Sequence, residues 1–156
     1  MSLEKSAAIP MTAAGFEALK AELAELSGRR PALVAEVAAA RSQGDLSENF
    51  AYHDARQNLG MLDGRIQTVE NTLKRAQVVE EPGGTGVARI GSTVVVRDDF
   101  GESSYVMVGP TEGNMARSLL SVASPLGRAL VDRRAGDTVT FKTPDGERKA
   151  TLVSIT

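Results

Sequence analysis

The sequence predicts an α+β chain: an N-terminal antiparallel α-helical hairpin of coiled-coil type, then a small antiparallel sheet domain with one short helix. Three observations predict it. Residues suited to a helix seam recur in alternating steps of three and four at Phe16, Leu19, Leu23, Leu26, Arg30, Leu33, Val37 and Ala40, and again at Tyr52, Ala55, Leu59, Leu62, Ile66, Val69, Leu73 and Ala76. The two series are mirror images about Leu46, so that Ala40 faces Tyr52, Leu33 faces Leu59 and Phe16 faces Ala76. An antiparallel hairpin needs that symmetry, because only then does each arm bury its seam on the other. Beyond Val79 the pattern changes to a Pro/Gly-rich stretch followed by short β-branched runs separated by turn residues.

Composition agrees with a hairpin plus a small domain. The chain has 156 residues, of which only 4% are aromatic and none is Trp, which is thin for one globular core. There is no Cys, so disulfides and thiolate metal sites are excluded. No apolar run has the length of a signal peptide or a bilayer span, so a cytoplasmic protein without a membrane partner is expected. Net charge is −2, and neither half of the chain carries a basic excess. A nucleic acid would therefore be met through a partner rather than by a general basic surface.

The expected domains are residues 1–80 for the hairpin, 81–91 for the linker and 92–156 for the sheet domain. Thr12 is a suitable N-cap for a first arm over about Ala13 to Arg41, which is rich in Ala, Leu and Glu. Pro31 lies inside that arm, but the seam stays in phase on both sides of it, so one bent helix is expected. Arg30 falls on the seam. It reads as a stem snorkelling to the surface, or as a polar residue that fixes register. Gly44 breaks the first arm, and the second is expected from near Asp45 to about Val79. Each arm of roughly 30 residues would be on the order of 45 Å long. Such length is more easily explained as reach than as a need of stability.

Downstream, Thr93–Arg97, Tyr105–Val108 and Leu119–Val122 read as strands. Ser124-Pro125 opens a short helix through about Val131, with Ser as the cap and Pro at the first helical position. Thr138 to Lys142 and Lys149 to Ile155 form a last hairpin around Pro144-Asp145-Gly146.

Asp45 and Glu48 concentrate the chemistry. Three-apart carboxylates share a helix face and can hold one hard divalent cation through oxygen. The same spacing is close to a capping box, with Asp45 capping and Glu48 reaching back, and carboxylates suit a helix N-terminus. The two uses are compatible. Two carboxylates are too few to hold Mg²⁺ tightly, since it wants six oxygens. A half-site at the end of a long projection makes sense if the other half lies on another molecule.

The run Gly44-Asp45-Leu46-Ser47-Glu48-Asn49, followed by Tyr52-His53, Ala55-Arg56, Gly60 and Gly64-Arg65-Ile66, resembles the tip and second arm of the bacterial Gre transcript-cleavage factors. The resemblance extends to Ile9-Pro10-Met11-Thr12, Arg29-Arg30-Pro31, Ala76-Gln77-Val78, Leu120-Ser121-Val122 with Ser124-Pro125, and Lys142-Thr143-Pro144 with Gly146-Glu147. It implies an FKBP-like C-terminal domain and a transcription elongation factor. Such a factor enters the secondary channel of a backtracked bacterial RNA polymerase and stimulates cleavage of the nascent RNA 3′ end. By the same resemblance Asp45 and Glu48 would help hold the second catalytic Mg²⁺ beside the polymerase's own carboxylates, and Glu48 would also orient the attacking water. Arg41, Ser47, Asn49 and Arg56 are candidate contacts to RNA or polymerase, and Ser124 and Pro125 candidate contacts to the channel rim. Surface solvation for the arginines, and helix capping for Ser47, Asn49 and Ser124, are the plainer readings. His53 and Tyr52 read as packing residues. The factor would be a monomer, and an accessory to the polymerase rather than an enzyme.

The sequence departs from the family pattern at Phe50-Ala51, where an Ala-Glu pair is usual. One acid near the tip is therefore missing, and an apolar ring is present at Phe50 that would pack beneath the tip or stack on an RNA base. A Gre-like inhibitor that fills the channel without cleavage is the nearest rival. A prolyl isomerase with a helical appendage is another, although Phe100, Tyr105 and Phe141 are poor lining for a proline pocket. A plain coiled-coil adaptor is a third, and it would have no need of acids at the turn.

Overall fold

The computed structural model describes residues 7–44, 49–80 and 86–156. Its contacts divide the chain into two compact units, Glu17–Arg75 and a second made of Met1–Phe16 with Ala76–Thr156.

The first unit is the shaft of the hairpin. Helix α1 spans Ala13–Arg41 and α2 spans Phe50–Arg75. Pro31 lies within α1 without ending it. Leu26, Leu62 and Val69 form the buried centre of the seam, and Leu19, Leu23, Leu33, Ile66 and Leu73 pack against them. Nearer the tip, Ala40 and Ala55 are also buried. Every residue of the two expected seam series is buried or half-buried except Arg30.

Arg30 does more than snorkel. Its guanidinium makes a two-pronged ion pair across the arms with Asp63, at 2.7 and 3.1 Å. A second two-pronged pair joins Arg65 to Glu22 at 2.6 and 2.9 Å. The planar fork of Arg matches a carboxylate in this way, so each pair sets geometry as well as charge.

The second arm is shorter than the sequence suggested. It begins at Phe50 rather than near Asp45, and it ends at Arg75 rather than about Val79. Ala76–Val78 leaves the helix as strand β2 and pairs in parallel with β1, Ile9–Met11, in the register Ile9 to Ala76 and Met11 to Val78. The Val79 N–H extends that contact to the Met11 carbonyl at 2.9 Å. A tertiary partner has overridden helix propensity here.

The second unit is built on a five-stranded sheet. Its strands are β3 Thr93–Asp98, β4 Gly101–Val108, β5 Leu119–Ser121, β6 Thr138–Thr143 and β7 Gly146–Ile155, in the order β5-β4-β3-β7-β6. All neighbours are antiparallel except β4 and β5, which run parallel. The expectation of a purely antiparallel sheet is corrected at that edge. The long connection through the 3₁₀ turn Met115–Arg117 returns the chain in the same direction, which a tight hairpin cannot do. Helix α3, Pro125–Leu130, lies next to β6. Val94 and Val96, Met107, Leu120, Val139, and Ala150 and Leu152 form the core from the strands, following their two-residue period with one face inward, and Leu130 of α3 packs among them.

Thr12 caps α1 as expected, its Oγ1 accepting the Gly15 N–H at 3.0 Å. Its other partner is not visible in any local pattern. The Glu112 carboxylate accepts the Thr12 N–H at 3.0 Å, the Thr12 hydroxyl, and the Gly109 N–H at 2.7 Å. One half-buried carboxylate thus ties the start of α1 to the segment after β4.

Candidate functional site

The site is assembled from the chain ends that flank the tip. After α1 the chain turns through Ser42 and Gln43, whose N–H groups bond to the Ala38 and Ala40 carbonyls at 3.3 and 3.2 Å. Gly44 follows at φ 137°, a conformation glycine adopts without the steric cost of a Cβ. Asp45, Ser47 and Glu48, the principal expected site residues, lie outside the described residues.

On the far side the chain re-enters helix through Asn49. Its Oδ1 accepts the Tyr52 N–H at 2.9 Å, and its Nδ2 donates to the Ala40 carbonyl in the last turn of α1. One amide therefore caps α2 and ties its first turn to the other arm. The capping reading of Asp45 lies outside the described residues, and the cap of α2 at Phe50 is Asn49. Capping, the plainer reading of Asn49, is what its side chain does.

Phe50 is the first residue of α2 and is 85% exposed. It does not pack beneath the tip. Arg41 ends α1 with its side chain exposed, where a cation suits the partial negative charge of a helix C-terminus. Arg56 is exposed on α2, and among the described residues neither arginine makes an ion pair. His53 is exposed rather than packed between the arms, with its ring edge-on to Tyr52 at 5.4 Å between centroids.

Electrostatics on the shaft is dominated by the two inter-arm pairs. The hydrogen bonds from Arg30 hold the Asp63 carboxyl below its ordinary range, against a smaller opposing effect of burial and with a charge attraction adding to them. Those from Arg65 do the same for Glu22, against a smaller opposing effect of burial.

The second expected contact, Ser124-Pro125, is a helix start. Ser124 Oγ accepts the Gly127 N–H at 3.0 Å and donates to the Ser121 carbonyl at 2.6 Å, so its hydroxyl is engaged inside the fold. A Cβ on Gly127 would lie 1.9 Å from the Ser121 carbonyl oxygen, so this helix start demands glycine. Pro125 is exposed at the rim of a shallow concavity shared with Arg128, Lys142 and Glu147. The three aromatics weighed for a proline pocket do not converge on one. Tyr105 and Phe141 pack on the core, while Phe100 is exposed beneath the Arg148 guanidinium at 4.4 Å.

Among the described residues there is no group of three or more His, Cys, Asp or Glu side chains that would hold a metal ion. The sequence offers two candidate donor carboxylates between Gly44 and Asn49, Asp45 and Glu48. Hard oxygen ligands of this kind fit Mg²⁺, and their number fits a shared ion rather than one held by this chain alone.

Residues 9–78 match the family model described as transcription elongation factor, N-terminal, and residues 83–156 match transcription elongation factor, GreA/GreB, C-term. The chain belongs to the Gre family of transcription elongation factors. Within the family it is close to GreA. It is 41% identical over 150 residues to the transcription elongation factor GreA of Ruegeria pomeroyi, covering 94% of this chain and 96% of that one. It is 42% identical, with the same coverage, to GreA of Cereibacter sphaeroides. Against GreA of Francisella tularensis subsp. novicida it is 39% identical over 152 residues, covering 94% and 95%. Among solved structures, it is similar to GreA factor homolog 1 (Gfh1) of Thermus thermophilus at 29% identity and a TM-score of 0.45, covering 96% and 99%.

The family match spans both units, so the shaft, the Asn49 tie and the α3 start are parts of one Gre-type chain. Besides the two inter-arm ion pairs, two further contacts escaped sequence reasoning. Asn49 was legible as a capping residue, but its bond to Ala40 needed the register of both arms. The Glu112 tie joins positions 100 residues apart, and no local pattern announces it.

Proposed function

We propose that this elongation factor inserts its hairpin into the secondary channel of bacterial RNA polymerase and stimulates cleavage of the backtracked nascent RNA. The observation that carries the reading is the placement of Asp45 and Glu48. Both acids fall between Gly44 and Asn49, in the short stretch that joins the two arms, in a chain of the Gre family. The protein acts in the cytoplasm as a monomeric accessory and contributes no complete active site. None of its described helices is long and apolar enough to cross a membrane.

The roles of the chain's own residues follow from this. The seam and the two inter-arm ion pairs stiffen the shaft, and Asn49 fixes the start of α2 against the end of α1. Asp45 and Glu48 present carboxylate oxygens to the polymerase active site, where they would complete the shell of its second Mg²⁺. That ion, when bound, supplies a water of lowered pKa and charge stabilisation at the phosphate. Glu48 also accepts a hydrogen bond from the attacking water and so orients it. Arg41 and Arg56 offer cationic groups to phosphate or to polymerase carboxylates. Pro125 and the adjoining surface meet the channel rim.

The test is RNA cleavage in a stalled, backtracked polymerase complex containing Mg²⁺. The wild-type chain should shorten the RNA. Asp45→Ala with Glu48→Ala should still bind but lose stimulation by on the order of 100-fold, the scale of removing preorganised charge from a reaction centre. A wild-type chain that binds and slows the polymerase without cutting would replace this reading with channel inhibition.

A further inference from the structure

We propose that Phe50 is a positioning residue that stacks on a base of the RNA undergoing cleavage. The inference rests on the cleavage reading above and deepens it.

Three observations lead to it. First, Phe50 is 85% exposed, the greatest exposure among the large apolar side chains of the described residues. It contributes almost no burial to the hairpin, so its ring has no structural task there. Second, the ring is carried on a fixed support. Phe50 is the first residue of α2, and the residue before it is bonded to both arms through Tyr52 and Ala40. The backbone that carries the ring is held in this way, so only the two side-chain torsions of Phe50 remain to be ordered when a ligand meets it. Third, Phe50 is two residues from Glu48. Consecutive Cα atoms are about 3.8 Å apart, so their Cα atoms are at most roughly 7.6 Å apart. If Glu48 acts at the scissile phosphate, Phe50 leaves the chain only a short distance from the acting residue.

A flat apolar ring at that distance suits the face of a base. Such stacking is tolerant of sequence and needs no basic surface, which fits a chain with a net charge of −2. Holding one base of the RNA would steady the phosphate next to it in a reactive geometry. The contribution would then appear in the rate at saturating factor, not only in affinity for the complex.

The experiment compares wild type, Phe50→Ala, Phe50→Leu, Phe50→Tyr and Asp45→Ala with Glu48→Ala in the same backtracked complex. Cleavage rate at saturating factor and apparent affinity for the complex are measured separately. Helical circular dichroism should be unchanged in every Phe50 variant, since the ring is exposed. The proposal expects Phe50→Ala and Phe50→Leu to cleave about tenfold more slowly at saturation, with Phe50→Tyr restoring the rate. It is overturned if Phe50→Ala cleaves like wild type. It is equally overturned if Phe50→Leu rescues, or if only affinity falls, since either result assigns the ring to an apolar patch of the polymerase. Failure of the parent reading is distinguishable: the wild type itself would then give no cleavage, or the Asp45/Glu48 variant would cleave normally.

Discussion

A single amide shows how much of the tip depends on one residue. Asn49 satisfies an orphan N–H at the start of α2 and a carbonyl at the end of α1. Asn49→Ala removes both bonds. It should destabilise the hairpin by about 1–2 kcal/mol, the upper part of the range for losing a cap. Asn49→Asp keeps the cap acceptor but loses the donor to Ala40, so it should fall between the two. Urea unfolding followed by helical circular dichroism measures both, and an Asn49→Asp protein no better than Asn49→Ala would show that the cap contributes little. Glu112 gives a second prediction at this scale. Glu112→Gln retains an acceptor oxygen but loses the charge and one acceptor, while Glu112→Leu leaves the Thr12 and Gly109 donors unmatched. The Leu variant should cost about 1–3 kcal/mol and the Gln variant less, read from thermal unfolding. These two residues also mark the limit of local reading. An Asn before an amphipathic run is legible as a cap, whereas a Glu that meets residues 100 positions away is not.

Between elements, the seam and the charges across it act differently. The seam was legible because coiled-coil packing repeats: a three-four step needs only the sequence. The ion pairs were not, because Asp63 and Glu22 lie beside the seam and their partners depend on how the arms are aligned. The second arm's end was misread for a related reason: Ala76–Val78 becomes strand only because Ile9–Met11 lies alongside it. The pairs make a pH prediction with a definite sign. The carboxyls of Asp63 and Glu22 have lowered pKa values in the folded state. Their stabilisation is therefore fully present above the unfolded carboxylate value, near 4, and is lost as pH falls through the lower folded values. The guanidinium partners stay charged throughout. Both pairs are partly exposed, so added salt should weaken them as well. Hairpin stability measured from pH 7 down to pH 2 should fall more steeply in wild type than in Asp63→Asn with Glu22→Gln. Parallel profiles would remove the pairs from the account.

At the scale of the whole molecule, the two units have cores of different depth. The sheet unit buries a continuous cluster from Ala88 to Leu152, while the shaft's buried centre is Leu26, Leu62 and Val69. A long hairpin has much surface for little interior, and regions with few buried contacts open first. Heating should therefore give two transitions, the first dominated by loss of helix. Leu62→Ala removes a buried side chain at a cost of about 2–5 kcal/mol and should lower the first transition alone. Leu152→Ala should lower the second alone. The chain has two tyrosines and no Trp, with Tyr52 in the shaft and Tyr105 in the sheet unit. A Tyr52→Phe background thus makes tyrosine fluorescence a reporter of the sheet unit, to be set against helical circular dichroism. If the two signals coincide in the Leu62→Ala protein, the units unfold as one and the division fails. If they separate, reach and anchorage are independently adjustable. On the proposed function, a weakened shaft would then lose cleavage stimulation while the sheet unit still bound the polymerase.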